Sequence, residues 1–203
     1  MSFETPAEIV SYMIGRQVGD QLKTSQFPGF NLDNLYKGIQ EALDNAEMPL
    51  SQEQIEGAYE VIQAELQKAK AAAEEKMKED GAAFLEENAK KEGVVVTESG
   101  LQYEVLVEGE GAKPTAESTV RTHYHGTFTD GRVFDSSVER GQPAEFPVGG
   151  VIAGWTEALQ LMSEGSKYRL TIPYNLAYGE QGSQGAIPPF STLVFEVELL
   201  NVL

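Results

Sequence analysis

The sequence predicts an α+β protein whose helical N-terminal part precedes an antiparallel sheet wrapped on one short helix. Residues 1–92 carry helix-start signals and helical spacing of apolar residues without a convincing strand, whereas residues 94–203 alternate apolar and polar residues between turns. Apolar residues make up 41% of the chain, which is enough for packed cores. No apolar run approaches the roughly 18 residues of a membrane-spanning helix. We expect a helical dimerisation domain over 1–50, a long helical arm over 51–92 and a sheet domain over 93–203.

The first two helices have recognisable ends. Thr5-Pro6-Ala7-Glu8 is a capping box with proline in the first turn, where its missing N–H costs nothing. This helix is expected to run to about Leu22. A second short helix is predicted from about Asp33 to Asp44, because Met48-Pro49 would interrupt any longer one.

The third helix is predicted to be unusually long. Ser51-Gln52-Glu53-Gln54 is another capping box, and nothing stops the helix before Gly93, so the arm should be on the order of 60 Å long. Its first part carries an apolar seam at spacings of four and three, formed by Ile55, Tyr59, Ile62, Leu66 and Ala69. From Lys68 to Lys91 the seam thins to Ala, Glu and Lys, and we expect this stretch to stand in solvent as a stiff spacer. The alternative is an ordinary bundle folded back on its own chain.

The helical part carries more apolar surface than its size can bury. Fifty residues are too few for a stable core, yet apolar side chains surround much of the first helix. Pairing two copies would cover this surface. We therefore predict a homodimer formed through about the first 67 residues, with a monomeric bundle as the alternative.

The C-terminal half reads as strands and turns with one helix. The alternation of apolar and polar residues from Leu101 to Val107 predicts the first strand. One face of this strand should carry Leu101, Tyr103, Val105 and Val107. Further strands are predicted at Thr119–Phe128, from Val133, at Lys167–Ile172 and at Thr192–Val202, and the helix at Gly154–Met162.

Charge and composition exclude several functions. The net charge is −17, from 18 acidic and 9 basic residues through position 93 and 14 against 6 thereafter. Nucleic acids and anionic membranes are therefore not expected as partners. The absence of cysteine excludes disulfides and thiol catalysis. The first positive charge is Arg16, whereas a secretory signal places its charge first, so we expect a cytoplasmic protein.

Five ordered stretches of the C-terminal half resemble the FKBP immunophilins, which are peptidyl-prolyl cis/trans isomerases, or rotamases. They are His123-Tyr124-His125-Gly126, Val133-Phe134-Asp135-Ser136-Ser137, Val151-Ile152-Ala153-Gly154-Trp155, Ala177-Tyr178-Gly179 with Gly185-Ala186-Ile187-Pro188-Pro189, and Thr192 to Leu200. The helical half is similar to that of the dimeric bacterial members of the macrophage-infectivity-potentiator type. The resemblance implies an FKBP-like sheet and an isomerase domain over 93–203.

The same resemblance implies an active site. The catalytic residues would be Tyr124, Phe134, Asp135, Arg140 and Tyr178. The substrate-binding residues would be Phe146, Val151, Ile152, Trp155, Ile187 and Phe195. In this arrangement Trp155 forms the floor under the proline ring, Tyr178 donates its hydroxyl to a substrate carbonyl, and Asp135 lies beside the carbonyl that twists.

The implied function is acceleration of proline-limited folding, with chaperone-like binding of unfolded chains through the dimeric N-terminal part. The partners would be unfolded or nascent proteins with X–Pro bonds, and macrolides such as tacrolimus and rapamycin would be inhibitors. Leu176 and Ala144 replace aromatic residues that many members carry, which leaves the macrolide affinity open. No cofactor and no metal is expected, because His123 and His125 share a strand face directed away from the pocket without a third histidine. The alternative function is a non-catalytic holdase that uses the apolar pocket only to bind.

Overall fold

In the computed structural model, which describes residues 3–23, 25–183 and 185–203, helices precede strands along the chain. The helices are α1 (Pro6–Leu22), α2 (Leu32–Leu43), α3 (Gln52–Asn88) and α4 (Ala153–Leu161). The strands are β1 (Val94–Val96), β2 (Gln102–Val107), β3 (Thr119–Phe128), β4 (Val133–Ser136), β5 (Ala144–Pro147), β6 (Lys167–Ile172) and β7 (Leu193–Val202). The chain divides into two compact units, Met1–Ala71 and Ala72–Leu203, so that the division falls within the predicted arm. No helix among the described residues is long and apolar enough to cross a membrane.

The predicted helix caps of the first unit are present. The Thr5 hydroxyl accepts from the Glu8 amide at 3.3 Å, and the Glu8 carboxylate accepts from the Thr5 amide at 2.9 Å. At the start of α3, Ser51 and Gln54 exchange the equivalent bonds at 3.2 and 3.0 Å. These caps satisfy backbone amides that a helix N-terminus leaves without partners.

The first unit buries almost none of its apolar residues. No described residue between positions 3 and 71 is buried within the chain. Val10 is 58% exposed, Ile14 56% and Tyr36 60%. A soluble unit of this size normally covers such side chains. The three helices therefore lack the core that would hold them together as a single chain.

The last part of α3 belongs to the second unit and packs against its sheet. Asn88 is buried, and its amide donates to Gln102 Oε1 at 2.9 Å and to Thr171 Oγ1 at 3.2 Å. Gly81 is buried against Thr192. The expectation that residues 68–91 stand in solvent is therefore wrong at these positions, because a glycine and an asparagine make the contact instead of an apolar seam.

The second unit is an antiparallel sheet in the order β1-β2-β6-β7-β3-β4, with β5 also paired to β3. Strand β3 is the centre of this arrangement because it pairs with β7, β4 and β5. Helix α4 packs on one face and completes a core of buried apolar side chains. The largest fully buried ones are Leu101, Leu159, Met162, Leu170, Ile172, Leu193 and Leu199.

Several strands differ from the sequence-based expectation. The predicted bounds of β3 and β6 are confirmed. Strands β1 and β5 were not predicted, since three or four residues are too few to show a period. Val105 and Val107 are exposed, whereas Leu101 is fully buried, and the pairing of β2 with β6 shifts register between the two valines.

The contact between Gly81 and Thr192 generates a stability prediction. A Cβ at position 81 would lie 2.7 Å from Thr192 Oγ1, so Gly81→Ala should overpack this contact by about 1–3 kcal/mol. The better helix propensity of alanine offsets about 1 kcal/mol of that cost. We expect a net loss in the free energy of unfolding, measured with urea by the fluorescence of Trp155, the only tryptophan.

The double variant provides the control. In a Thr192→Ala background the steric conflict is gone, and Gly81→Ala should become neutral or stabilising. An equal loss in both backgrounds would contradict the packing of α3 on Thr192.

Candidate active site

The alternation of β3 directs one set of its residues towards α4. Val120, Thr122, Tyr124 and Gly126 are buried, and the residues between them are partly exposed. Gly126 is required to be small, because a Cβ there would lie 2.7 Å from the Phe134 ring and 2.9 Å from the Phe195 ring. The missing side chain thus leaves room for two aromatic rings beside Tyr124.

These residues open onto an aromatic cavity of about 320 Å³. Its walls are Tyr124, Phe134, Asp135, Phe146, Gly150, Val151, Ile152, Trp155, Tyr178 and Phe195. The structure therefore brings together all the sequence-predicted site residues except Arg140 and Ile187. Gly150 was not predicted, since a glycine that contributes backbone to a wall carries no chemical signal in the sequence.

Trp155 is held at the cavity by the edges of its aromatic neighbours. Its ring meets Tyr124 at 5.4 Å, Phe146 at 5.7 Å and Phe195 at 5.3 Å between centroids, each nearly perpendicular. Such edge-to-face pairs are the favoured aromatic geometry. The indole N–H has no acceptor within the described part of the chain, so ring packing alone fixes this side chain.

A hydrogen-bonded triangle forms the polar side of the cavity. The Tyr124 hydroxyl donates to Asp135 Oδ2 at 2.5 Å, and the Arg140 guanidinium donates to Asp135 Oδ1 and to the Tyr124 hydroxyl, the latter at 2.9 Å. Arg140 itself does not line the cavity. It instead orients the two residues that do.

The triangle keeps Asp135 ionised and Tyr124 neutral. Burial raises the pKa of Asp135, but the hydrogen bonds from Tyr124 and Arg140 outweigh it and hold that pKa below the usual range. Burial, and then the hydrogen bond to Asp135, raises the pKa of Tyr124. Burial and the nearby charge of Asp135 raise the pKa of Tyr178 as well. At neutral pH the cavity therefore has one carboxylate, a Tyr124 hydroxyl that donates to that carboxylate, and the phenolic O–H of Tyr178.

The start of α4 lies at the cavity wall. Ile152 is the N-cap residue, and its carbonyl accepts from the Trp155 and Thr156 amides at 2.9 and 3.0 Å. The first amides of any α-helix lack acceptors inside the helix. Thr156 Oγ1 donates to the Val148 carbonyl at 2.7 Å and ties the helix to the preceding turn. A substrate carbonyl bound at the N-terminus of α4 could therefore accept a hydrogen bond from a backbone amide.

The remaining sequence-predicted positions lie outside the cavity. Ile187 is buried and borders a separate hollow of about 340 Å³, which is lined by Gln181, Ser183 and residues 185–189. Leu176 and Ala144 pack against the core without lining the cavity. His123 and His125 bond through Nδ1 to Ser137 and Ser136. No cluster of three metal-ligating side chains occurs among the described residues.

Two family models match the chain. One describes FKBP-type peptidyl-prolyl cis-trans isomerases and matches residues 110–200. The other describes the domain amino-terminal to such isomerases and matches residues 7–105. Between them the two models account for nearly all of the sequence, including every residue of the cavity.

Named relatives resemble the chain over its full length. It is 51% identical to the FKBP-type 22 kDa peptidyl-prolyl cis-trans isomerase of Escherichia coli, over 100% of this chain and 98% of that protein. It is 47% identical to the isomerase FkpA of Aeromonas hydrophila, over 95% and 74% of the two chains. The crystal structure of FkpA from Escherichia coli superposes with a TM-score of 0.75 at 35% identity and covers 99% of this chain and 98% of that one. The chain therefore belongs to the FKBP-type peptidyl-prolyl cis-trans isomerases.

Proposed function

We propose that this isomerase accelerates proline-limited folding of unfolded or nascent proteins, and that it does so as a homodimer whose helical parts help to bind the unfolded chain. The observation that carries the catalytic part is the aromatic cavity with one ionised carboxylate at its side. No covalent chemistry is needed there, because rotation about an X–Pro bond breaks no bond.

Rotation is accelerated by favouring the twisted amide. The planar amide owes its barrier to resonance, which separates charge between oxygen and nitrogen. Twisting removes that charge separation, so an apolar environment disfavours the planar form more than the twisted one. A cavity lined by Trp155, Phe134 and Phe195 thus binds the transition state better than the ground state, which is what accelerates a reaction.

The polar residues orient the substrate around this apolar centre. Trp155 lies under the proline ring, and Tyr178 donates its hydroxyl to a substrate carbonyl. Asp135 lies beside the carbonyl that rotates, where Tyr124 and Arg140 fix its carboxylate. Both carboxylate oxygens of Asp135 accept hydrogen bonds from these donors. The residue therefore acts as an oriented charge and not as a base.

Replacing either part of this machinery should reduce turnover. Asp135→Ala removes the oriented charge, and Phe134→Ala removes a wall. We expect each variant to lower kcat/KM on a short proline peptide by about tenfold or more, as loss of about 1.4 kcal/mol of transition-state binding does.

Asp130→Ala is the matched control. Asp130 also bonds an arginine two residues away, Arg132, at 2.8 Å, but it lies in an exposed turn outside the cavity. This variant should keep its activity. Unchanged activity in both Asp135→Ala and Phe134→Ala would refute the assignment of the pocket.

The homodimer is supported by the exposed apolar side chains of the first unit. Those between positions 9 and 66 that are at least about one-third exposed are Ile9, Val10, Tyr12, Met13, Ile14, Val18, Leu32, Tyr36, Ile39, Leu43, Met48, Leu50, Tyr59, Val61 and Leu66. A second copy of the same unit supplies a matching surface, as symmetric dimers do. Two copies together can bury a core that one copy of this length does not have.

Light scattering on the full chain should give about twice the monomer mass of 22.2 kDa. Val10→Asp should shift the protein towards the monomer, because it places a charge in the covered surface. Val138→Asp is the control: Val138 is 56% exposed, close to the 58% of Val10, but it lies in the sheet unit. A monomeric full-length protein at micromolar concentration would contradict the homodimer.

Chaperone-like binding follows from having two cavities in one particle. A short peptide occupies one cavity, whereas an unfolded protein is long enough to reach both cavities and the helical surfaces. A second contact within one complex acts at a high effective concentration, so the overall affinity can exceed that of either contact.

Removing the first unit should therefore affect catalysis on short peptides and on unfolded proteins to different extents. A chain of residues 72–203 keeps Asn88 and Gly81 on the sheet and should retain most of its activity on short peptides. Its catalysis of proline-limited protein refolding should fall far more, by about tenfold or greater. Equal losses on peptide and protein would show that the first unit only oligomerises the chain.

Macrolides such as tacrolimus and rapamycin are proposed as ligands of the same cavity, since its walls are largely apolar and include the phenolic O–H of Tyr178. Inhibition of the peptide reaction by either compound tests this directly. The cytoplasmic location stays a prediction from the sequence.

A further inference from the structure

Phe190 has an unusual backbone for a buried aromatic residue. Its φ is +58°, in the left-handed region that bulky side chains rarely adopt, and it is only 6% exposed. Asn45 is the other non-glycine residue with a positive φ in the described part of the chain, and it lies on the surface. A buried residue keeps such a conformation only where its surroundings determine it, and these residues often lie near functional sites.

Both the backbone and the ring of Phe190 contact the segment that carries Tyr178. The Phe190 amide donates to the Gly179 carbonyl at 3.1 Å, next to Tyr178 in the chain. The Phe190 ring packs edge-on against Tyr174 at 5.2 Å. The Tyr174 carbonyl in turn accepts from the Ala177 and Gly179 amides at 3.0 and 2.8 Å. Tyr178 thus lies in a tight turn that Phe190 contacts at both ends.

Helix α3 also contacts the Phe190 ring. Lys78 Nζ lies 4.2 Å from the centroid of the Phe190 ring, within the range of a cation–π contact. One turn further along the helix, Gly81 packs against Thr192, two residues after Phe190. The part of α3 after Ala71 belongs to the same compact unit as the loop, so these contacts connect that part of the helix to the turn of Tyr178 through one ring.

We propose that Phe190 is a positioning residue for Tyr178, and that α3 holds it in place through Lys78. Phe190 does not line the cavity, so it acts on the substrate only through the Tyr178 turn. The proposal rests on the role given above to the Tyr178 hydroxyl, which must reach a substrate carbonyl from a fixed position. It accounts for a phenylalanine at a position whose positive φ would suit glycine.

A double-mutant cycle in the full-length protein tests the proposal. Tyr178→Phe removes the hydroxyl and should lower kcat/KM on a proline peptide by about tenfold. Phe190→Ala should lower it by about three- to tenfold in the wild-type background, but by less than about twofold in the Tyr178→Phe background. Residues that act through one group show this non-additivity.

Lys78→Met supplies a milder variant that keeps the apolar stem and removes only the charge above the ring, and about a twofold loss is expected. Lys91→Met is its matched control, because Lys91 lies over a different ring, that of Phe84, at 5.8 Å. In NMR spectra the amide signal of Tyr178 should shift or broaden in Phe190→Ala and Lys78→Met and stay unchanged in Lys91→Met.

The outcomes separate this proposal from the proposed function. Full activity of Tyr178→Phe would show that the hydroxyl has no catalytic role, and would thereby overturn this proposal. The assignment of the cavity would be unaffected, because the Asp135 and Phe134 variants test it separately. Activity losses that multiply independently, or an unchanged Tyr178 signal, would overturn the positioning role alone. If Phe190→Ala does not fold, Lys78→Met in both backgrounds decides the question.

Discussion

The strict alternation of side chains along β3 is the constraint on which the sheet unit depends. This strand pairs with three others, so a shift of one residue would turn Tyr124 away from α4 and bring His123 and His125 into the core. The same register places Gly126 where two rings converge. The register of β3 therefore determines both the cavity and the core, because this one strand contributes side chains to each.

The sequence predicted those elements whose information is local. The Thr5 cap, the bounds of β3 and the ordered motifs around Trp155 all lie within short stretches of chain. Strand β5 was missed, because Ala144–Pro147 has meaning only through its pairing with β3. Gly81 lies inside the predicted third helix without any signal of a contact, yet it is the point where α3 approaches Thr192. Contacts made by small residues leave no apolar period to detect.

The hydrogen bonds of the polar triangle stabilise the fold less at acidic pH. The folded-state pKa of Asp135 is lowered, so its hydrogen bonds stabilise the fold above the ordinary pKa of an aspartate and are lost as pH falls through the lowered value. Since the carboxyl is partly exposed, solvent screens this contribution. The arrangement is better understood as orienting a charge than as holding the unit together.

The division of the chain into family regions differs from its division into packed units. The amino-terminal family model extends to residue 105 and so includes β1 and most of β2, which are strands of the catalytic sheet. The compact units divide instead after Ala71.

Asn88 bonds Gln102 and Thr171, which lie in β2 and β6, and the Gln102 amide donates back to the Leu85 carbonyl at 2.9 Å. The two bonds that Asn88 makes are buried, and together with the partly buried bond from Gln102 they join the end of α3 to two strands of the sheet. The end of α3 is therefore a structural part of the catalytic unit, although its sequence belongs to the amino-terminal region.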